Sequence, residues 1–309
     1  MSPTSMFAPA SASAESIFGL SKFVLATIAM IFVVVFALLA YVAVRFRNRS
    51  GDDRSEPAQV YGSTQVELAW TVIPVLIVIA LFLASARVIA SIQNPLRPAG
   101  TLEVIVTGHQ YWWEYRYPAL SIATANELHV PVSTQAFLTL LSADTDHSFW
   151  VPRLGGKTDL IPNHPNQMSI EPHETGLFLG QCAQYCGTQH AKMLLRVYVD
   201  TREEFDRWVH HQQQAAQNAP GQGQRVFEST ACVNCHSISG TPAKGKFGPD
   251  LTHLMSRETI AAGAAANTHE MLRLWIKRPD AIKPGSKMPA MGLTDGDVDA
   301  VAAYLETLR

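Results

Sequence analysis

The run Cys182-Ala-Gln-Tyr-Cys186-Gly-Thr-Gln-His190-Ala-Lys-Met193 sets two thiols, an imidazole and a thioether close together in one short stretch. Such soft or borderline donors favour copper, and a loop that closes several of them on one point is how sheet proteins build copper sites. The sulfur count decides the nuclearity. A single blue copper takes one Cys, two His and a weak Met, whereas two thiolates can bridge a pair of ions. Gly187 suits the tight turn within the run. A further imidazole has to come from elsewhere, and His147 in Asp144-Thr-Asp-His147-Ser-Phe-Trp-Val-Pro is the best candidate, at the end of a β-rich stretch over 136–141. A Cys182–Cys186 disulfide would leave His190 and Met193 unexplained. Zinc fits poorly because Met is a weak zinc ligand. His109, His129, His164 and His173 read as structural or solvent-exposed.

Upstream of this loop the chain is β-rich, with strands expected over 102–106, 127–132 and 136–141, separated by Pro and Gly; a sandwich or barrel is the natural reading. Before that the character changes. Residues 23–44 carry no charge, and a helix of about 22 residues rises roughly 33 Å, enough for a hydrocarbon core of about 30 Å. A second uncharged run covers 68–86 and tolerates Pro74 as a kink. A cleaved signal peptide does not fit the first run, which is too long for an h-region and lacks a basic n-region and a small-residue cleavage site. Arg45, Arg47, Arg49 and Arg54 lie between the runs and place the connecting loop in the cytoplasm. Everything from about residue 92 onward is then extracytoplasmic.

Composition agrees with a membrane protein: 47% of residues are hydrophobic and 16% charged, against a typical charged share of about 25%. The net charge of −2 supplies no electrostatic footprint for nucleic acid.

Downstream, Thr201-Arg-Glu-Glu204 reads as a capping box that opens a helix to about residue 214. A Gln-, Ala-, Pro- and Gly-rich linker follows, to about residue 223. Cys232-Val-Asn-Cys235-His236 is the pattern of c-type haem attachment, in which two thiols add to the vinyl groups and the neighbouring imidazole becomes the proximal iron ligand. No second cysteine pair follows for zinc, and no βαβ pattern surrounds this one for thiol exchange. The sixth iron ligand is expected from Met288 in Lys287-Met-Pro289-Ala-Met291, with Met291 as runner-up. Thr294 and Asp297 read as a helix cap, and Val298, Val301, Leu305 and Leu308 form a stripe for the core.

With these residues in view, the stretch from Leu68 to about Val199 resembles cytochrome c oxidase subunit II, and 221–309 resembles small class I cytochromes c. The first resemblance rests on the C-x-x-x-C-x-x-x-H-x-x-M loop, the His147-Ser-Phe context, Lys157-Thr-Asp-Leu-Ile-Pro162, Gly180-Gln-Cys182 and Glu67-x-x-Trp70-Thr-x-x-Pro74. It implies a cupredoxin barrel holding dinuclear CuA. Cys182 and Cys186 would bridge the two coppers, His147 and His190 would bind one each, Met193 would cap one, and the carbonyl of Gln184 the other. It also implies that Glu67 lies near the entrance of a proton pathway in subunit I, the alternative being a Glu that snorkels at a helix end. Gln184 stands where the family usually has Glu, whose side chain reaches a magnesium site shared with subunit I; a neutral amide leaves carbonyl ligation untouched and the magnesium contact open. In Gly108-His-Gln-Tyr111-Trp112-Trp113-Glu-Tyr115, Tyr111 occupies the place of a Trp that commonly admits electrons, so Tyr111, Trp112 and Trp113 are the electron-entry candidates. The second resemblance makes Cys232, Cys235, His236 and Met288 the residues of one covalently bound haem c, with the carbonyl of Pro249 accepting a hydrogen bond from His236.

The expected architecture is therefore multidomain. An N-terminal segment (1–16) precedes a two-helix transmembrane hairpin (17–91, helices about 18–45 and 66–90). An all-β cupredoxin barrel (92–200), a helix and linker (201–222) and an all-α cytochrome c domain (223–309) follow. The expected function is that of subunit II of a proton-translocating haem-copper cytochrome c oxidase in a bacterial inner membrane, with both soluble domains periplasmic. Electrons would pass from a soluble or membrane-bound cytochrome c, or a bc1-type donor, through haem c and CuA to subunit I, with subunit III as a further partner. The alternative is a membrane-anchored electron-transfer protein working outside an oxidase. A quinol oxidase subunit would lack the intact ligand loop, and a nitrous oxide reductase would need a propeller domain for which there is no room.

Overall fold

The computed structural model describes residues 4–47, 59, 61–93, 97–216 and 219–309. Arg49 and Arg54, used above for orientation, lie outside the described residues. The chain divides into two compact units, one comprising residues 16–94 and the other the first fifteen residues together with 95–309.

The smaller unit is helical. Helix α1 (Ala12–Arg45) has 34 residues and α2 (Thr64–Gln93) has 30, which at 1.5 Å per residue is about 51 and 45 Å. Their most apolar windows have mean hydropathies of 3.0 and 2.6 and bury nothing against protein; helices apolar on every side belong in lipid. Helix α1 begins at Ala12 rather than at about 18. Glu15 in its first turn suits the positive end of the helix dipole. Pro74 sits inside α2 without ending it.

The larger unit opens with a short strap. Ala10 and Ser11 are fully buried, with Ala10 N donating to Arg153 O (2.8 Å) and Ser11 Oγ to Leu154 O (2.7 Å). The strap packs on two five-stranded sheets. One has the order β3 (Ile122–Ala125), β2 (Trp112–Tyr117), β1 (Leu102–His109), β5 (Ala136–Ser142), β8 (Asn166–Ile170); the other runs β4 (Glu127–Pro131), β10 (Leu194–Asp200), β9 (Gly176–Cys182), β6 (His147–Trp150), β7 (Thr158–Leu160). Alternation fixes the faces. Val104 and Val106 of β1 and Trp113, Tyr115 and Tyr117 of β2 share one core with Leu195, Val197 and Val199 of β10. Pairing is parallel between β1 and β5 and between β10 and β4. Strand β1 runs three residues past the expected stretch, to His109. Strand β4 ends at Pro131, although Val132 N still donates to Asp200 O of β10 (2.8 Å).

Helix α3 (Arg202–Gln213) follows, opened by a full capping box between Thr201 and Glu204. Its Trp208 stacks on His129 at 4.5 Å, which itself stacks on Tyr198; this is a structural role for His129. The last part of the chain is helical, with α4 (Gln222–Ser229), α5 (Cys232–Cys235), α6 (His269–Lys277), α7 (Pro279–Ile282) and α8 (Asp295–Leu305), plus a two-residue ribbon of β11 (Thr259–Ile260) and β12 (Ala265–Ala266). Thr294 caps α8 by accepting from Asp297 N. Val298, Val301, Leu305 and Leu308 are all buried in the core that α8 shares with Phe227 of α4. Gly223 permits the crossing: a Cβ there would lie 1.9 Å from Ala300 O.

Candidate metal centres

Topology brings the sulfur loop together. Cys182 ends β9, His147 begins the neighbouring β6, and Met193 immediately precedes β10, so residues 183–193 bridge two adjacent strands at one end of the sandwich. A 3-10 turn over His190–Lys192 returns the loop, and Gly187 takes φ +123° within it. Cys182 Sγ and Cys186 Sγ are 3.8 Å apart. His147 Nδ1 stands 3.9 Å from Cys182 Sγ and His190 Nδ1 3.7 Å from Cys186 Sγ. Met193 Sδ is 3.8 Å from Cys186 Sγ, and Gln184 O is 3.2 Å from Cys182 Sγ. These contacts link all six residues singled out in this part of the sequence, and the ligand atoms of His147, Cys182 and Cys186 lie within 4.8 Å of one another.

Asp144 orients the site. Its Oδ1 accepts from His147 Nε2 (2.8 Å), so the lone pair of Nδ1 faces the sulfurs; carboxylate–imidazole pairs of this kind fix the tautomer of a metal-binding histidine. Burial opposes charge on His147, but its hydrogen bonds to Asp144 and Cys182 outweigh burial and hold its pKa above the usual value. Burial likewise works against the Asp144 carboxylate, and donation from His147, Gln110 N and Thr145 N holds it below the ordinary range. The two sulfurs, 3.8 Å apart, bias each other: contact with Cys186 lowers the pKa of Cys182, while the same contact, with burial, raises that of Cys186. Gly108 was missed in the sequence. A Cβ there would sit 2.9 Å from Cδ2 of His147, so only glycine leaves the ring its place.

The second constellation lines a cavity. Cys232, Cys235, His236, Met288 and Met291 all line it, with Leu251, Ile276, Val301 and Leu305 supplying apolar walls. His236 Nδ1 donates to Pro249 O (2.8 Å), which leaves Nε2 free to act as a ligand, and burial lowers the pKa of the ring. A Cβ at Gly248 would approach the His236 ring at 2.6 Å. Two buried cations, Arg257 and Lys283, also line the cavity. Burial depresses both, Lys283 to about 7, and Arg257 Nε has no partner. An apolar slot holding a thiol pair, an oriented imidazole, two thioethers and an arginine with an unpartnered Nε fits a porphyrin with carboxylate side chains.

Of the electron-entry candidates, Tyr111 and Trp112 line this same cavity. Trp113 does not: it is fully buried behind the copper-type site, edge-on to His147 at 6.0 Å. Glu67 lies in the first turn of α2, in the helical unit.

Comparison with known proteins agrees in three successive segments. Residues 3–88 match the transmembrane domain of cytochrome c oxidase subunit II, 119–199 its periplasmic domain, and 221–309 cytochrome c. Cytochrome c oxidase subunit 2 of Alkalihalophilus pseudofirmus is 36% identical, over 91% of this chain and 84% of that protein. The subunit 2 of Bacillus sp. strain PS3 is 33% identical, over 85% and 80%. A quinol oxidase subunit 2 of Bacillus cereus is 31% identical over 60% of this chain and 65% of its own length. The chain therefore belongs to the cytochrome c oxidase subunit II family of the haem-copper oxidases, membrane-anchored by two helices, with a cytochrome c domain following its periplasmic copper domain.

Proposed function

We propose that this chain takes electrons from an external donor, a cytochrome c or a bc1-type complex, onto one covalently bound haem c, and passes them through a dinuclear CuA centre to the oxygen-reducing subunit I. The observation that carries this reading is the pair of sulfurs 3.8 Å apart, each with its own imidazole nitrogen at 3.7–3.9 Å. Thiolates so spaced reach two ions at once at metal–sulfur bonds of about 2.3 Å. Cys182 and Cys186 would bridge, His147 and His190 would bind one ion each, and Met193 and the carbonyl of Gln184 would cap. When bound, the bridged pair accepts and releases single electrons.

The protein's own groups keep that centre rigid. Asp144 holds His147 in the required tautomer, and burial of Cys182, Cys186 and Met193 keeps water from the sulfurs. In the cytochrome domain, Cys232 and Cys235 would form the thioether links, His236 and Met288 would be the axial ligands, and Pro249 orients His236. Glu67 would serve proton entry into subunit I. The site belongs at the periplasmic face of a bacterial inner membrane, with subunits I and III as neighbours.

Metal and haem analysis of the purified full-length oxidase tests this directly, with about two coppers and one haem c expected per subunit II on the ligand count. Cys232→Ala should abolish covalent haem and spare the copper spectrum, and Cys186→Ala the reverse. Loss of both signals in either variant would refute the assignment of two independent sites.

A further inference from the structure

Glu127 is the most buried carboxylate of the copper domain that no metal-site role explains, at 3% exposure. Its hydrogen bonds all cross to the cytochrome domain. Oε1 accepts from Thr259 N (2.9 Å) and Thr259 Oγ1 (2.7 Å), and Oε2 accepts from Glu258 N (3.1 Å). Arg196 of β10 lies 3.9 Å from Oε1 and reaches Glu258 Oε2 at 2.5 Å, while Leu194 N donates to Ala262 O (3.2 Å). A buried charge is tolerated only where it is satisfied in this way, so Glu127 commits the two domains to one relative placement.

A second row of contacts joins the same two domains through Lys283, Lys192 and Gln189. Lys283, also 3% exposed, donates from Nζ to Tyr111 O (2.9 Å). Lys192 Nζ donates to Ile282 O (2.7 Å), and Gln189 Nε2 to Pro284 O. Trp112 also packs on Ala262, and Gln110, Tyr111 and Trp112 of the copper domain line the same cavity as Cys232 and His236. Gln110 then leads straight to the sulfur loop, its Nε2 donating to Cys186 O at 2.5 Å, and Tyr111 Oη accepts from Thr188 N (3.1 Å).

We propose that Glu127 and Lys283 form a two-point clasp that holds the cytochrome domain on the copper domain as a fixed cap, with Gln110, Tyr111 and Trp112 as the shared wall, so that the face of the copper domain beside its ligand loop is reserved for the chain's own cytochrome domain. Glu127 is then a positioning residue for transfer between the two centres. An electron given up by a haem held at Cys232, Cys235 and His236 would be taken up by copper held at the sulfur loop, with no bond made or broken. The transfer consequence rests on the function proposed above, whereas the clasp itself does not.

The test uses the full-length detergent-solubilised oxidase with Glu127→Ala, and with Thr259→Val as a gentler variant that removes one donor from the opposite side. Hydrogen exchange at the amides of Glu258 and Thr259 is read first. Glu127→Ala should lower their protection roughly 10- to 100-fold, the factor for a hydrogen bond to a charged acceptor, and Thr259→Val less, with haem and copper spectra unchanged. Transfer from photoreduced haem c to copper should slow and become viscosity-dependent in both variants, because the domains must then find each other. Unchanged exchange in Glu127→Ala overturns the clasp. Faster exchange with an unchanged transfer rate overturns the positioning role, leaving the two-cofactor reading standing. Absence of copper or haem from the parent protein would instead refute that reading, and the exchange experiment would still decide the clasp.

Discussion

Gly108→Ala isolates how little room the copper site has. The backbone at 108 is not in the left-handed region, so alanine is conformationally acceptable and the effect is steric. The new Cβ would lie 2.9, 3.0 and 3.2 Å from Cδ2, Cγ and Cβ of His147. Carbon atoms rest at about 3.5–4.0 Å, so the ring must retreat by about 0.5 Å. It has nowhere to go: His147 is fully buried, tied to Asp144 at 2.8 Å and flanked by Trp113. Metal–ligand distances tolerate deviations of about 0.2 Å, less than half the required shift. Copper affinity should therefore fall roughly 10- to 100-fold, the range for disturbing the groups that orient a ligand. The copper-free domain should lose about 1–3 kcal/mol from overpacking. Competition with a copper chelator, electron paramagnetic resonance and thermal unfolding of the metal-free protein read these quantities. Gly155→Ala is the control, since its Cβ would meet only Met168 Cε at 3.8 Å. A Gly108→Ala protein with full copper, an unaltered spectrum and parental affinity would refute the steric argument.

Gly248→Ala should do the same to the other centre, pushing the His236 ring off its Pro249 hydrogen bond; a shifted haem potential with an intact copper spectrum is the expected result. Asp144→Asn keeps the shape of the residue and removes its charge. Because the folded carboxyl has a lowered pKa, Asp144 contributes stability that is complete above its ordinary value of 3.8 and lost as pH falls through the depressed folded value. The metal-free Asn variant should therefore show a flatter acid limb in pH-dependent unfolding, and the loaded one a copper affinity lower by roughly 10-fold or more. Gly223→Ala would drive a methyl group into Ala300 O and wedge α4 from α8. About 1–3 kcal/mol or more should be lost from the cytochrome domain alone, seen as a lower melting temperature for haem-linked signals while the copper signals persist.

What was legible in the sequence is what is local along it. Cys182, Cys186, His190 and Met193 lie on one loop, and Cys232, Cys235 and His236 on one turn, so chemistry and spacing sufficed to single them out. The added partners His147 and Pro249 came through motif context, and the structure brings both to the places described above. Met288 and Met291 are three residues apart and line the same cavity, so spacing has no power to choose between them. The long apolar runs marked the helices, but the start of α1 at Ala12 is hidden because the residues before the run are small and polar and its beginning is tied to the copper-domain strap at Ala10 and Ser11. Gly108 and Glu127 carried no signal at all. Gly108 matters because of an imidazole 39 residues further along the chain, and Glu127 because of amides 131 and 132 residues away.

That division has a physical cause. Donor atoms must carry particular elements, so a metal site writes itself into residue identity, whereas holding the donors still requires only absence of a methyl group or a carboxylate facing two amides, which many residues supply in many places. The two glycines beside His147 and His236 are the same solution in unrelated folds: a ring nitrogen is tied at the ring edge by a hydrogen bond, to Asp144 or to Pro249 O, and backbone with no side chain lies against the ring. Holding a ring by both contacts limits the freedom it would use to follow a change in charge on a bound metal, which would keep reorganisation small in the electron-transfer centres proposed above. The same reasoning extends to the pair of domains. A flexible tether would raise the effective concentration of one centre near the other but leave each encounter to diffusion, whereas Glu127, Lys283 and the wall of Gln110, Tyr111 and Trp112 leave nothing to be searched.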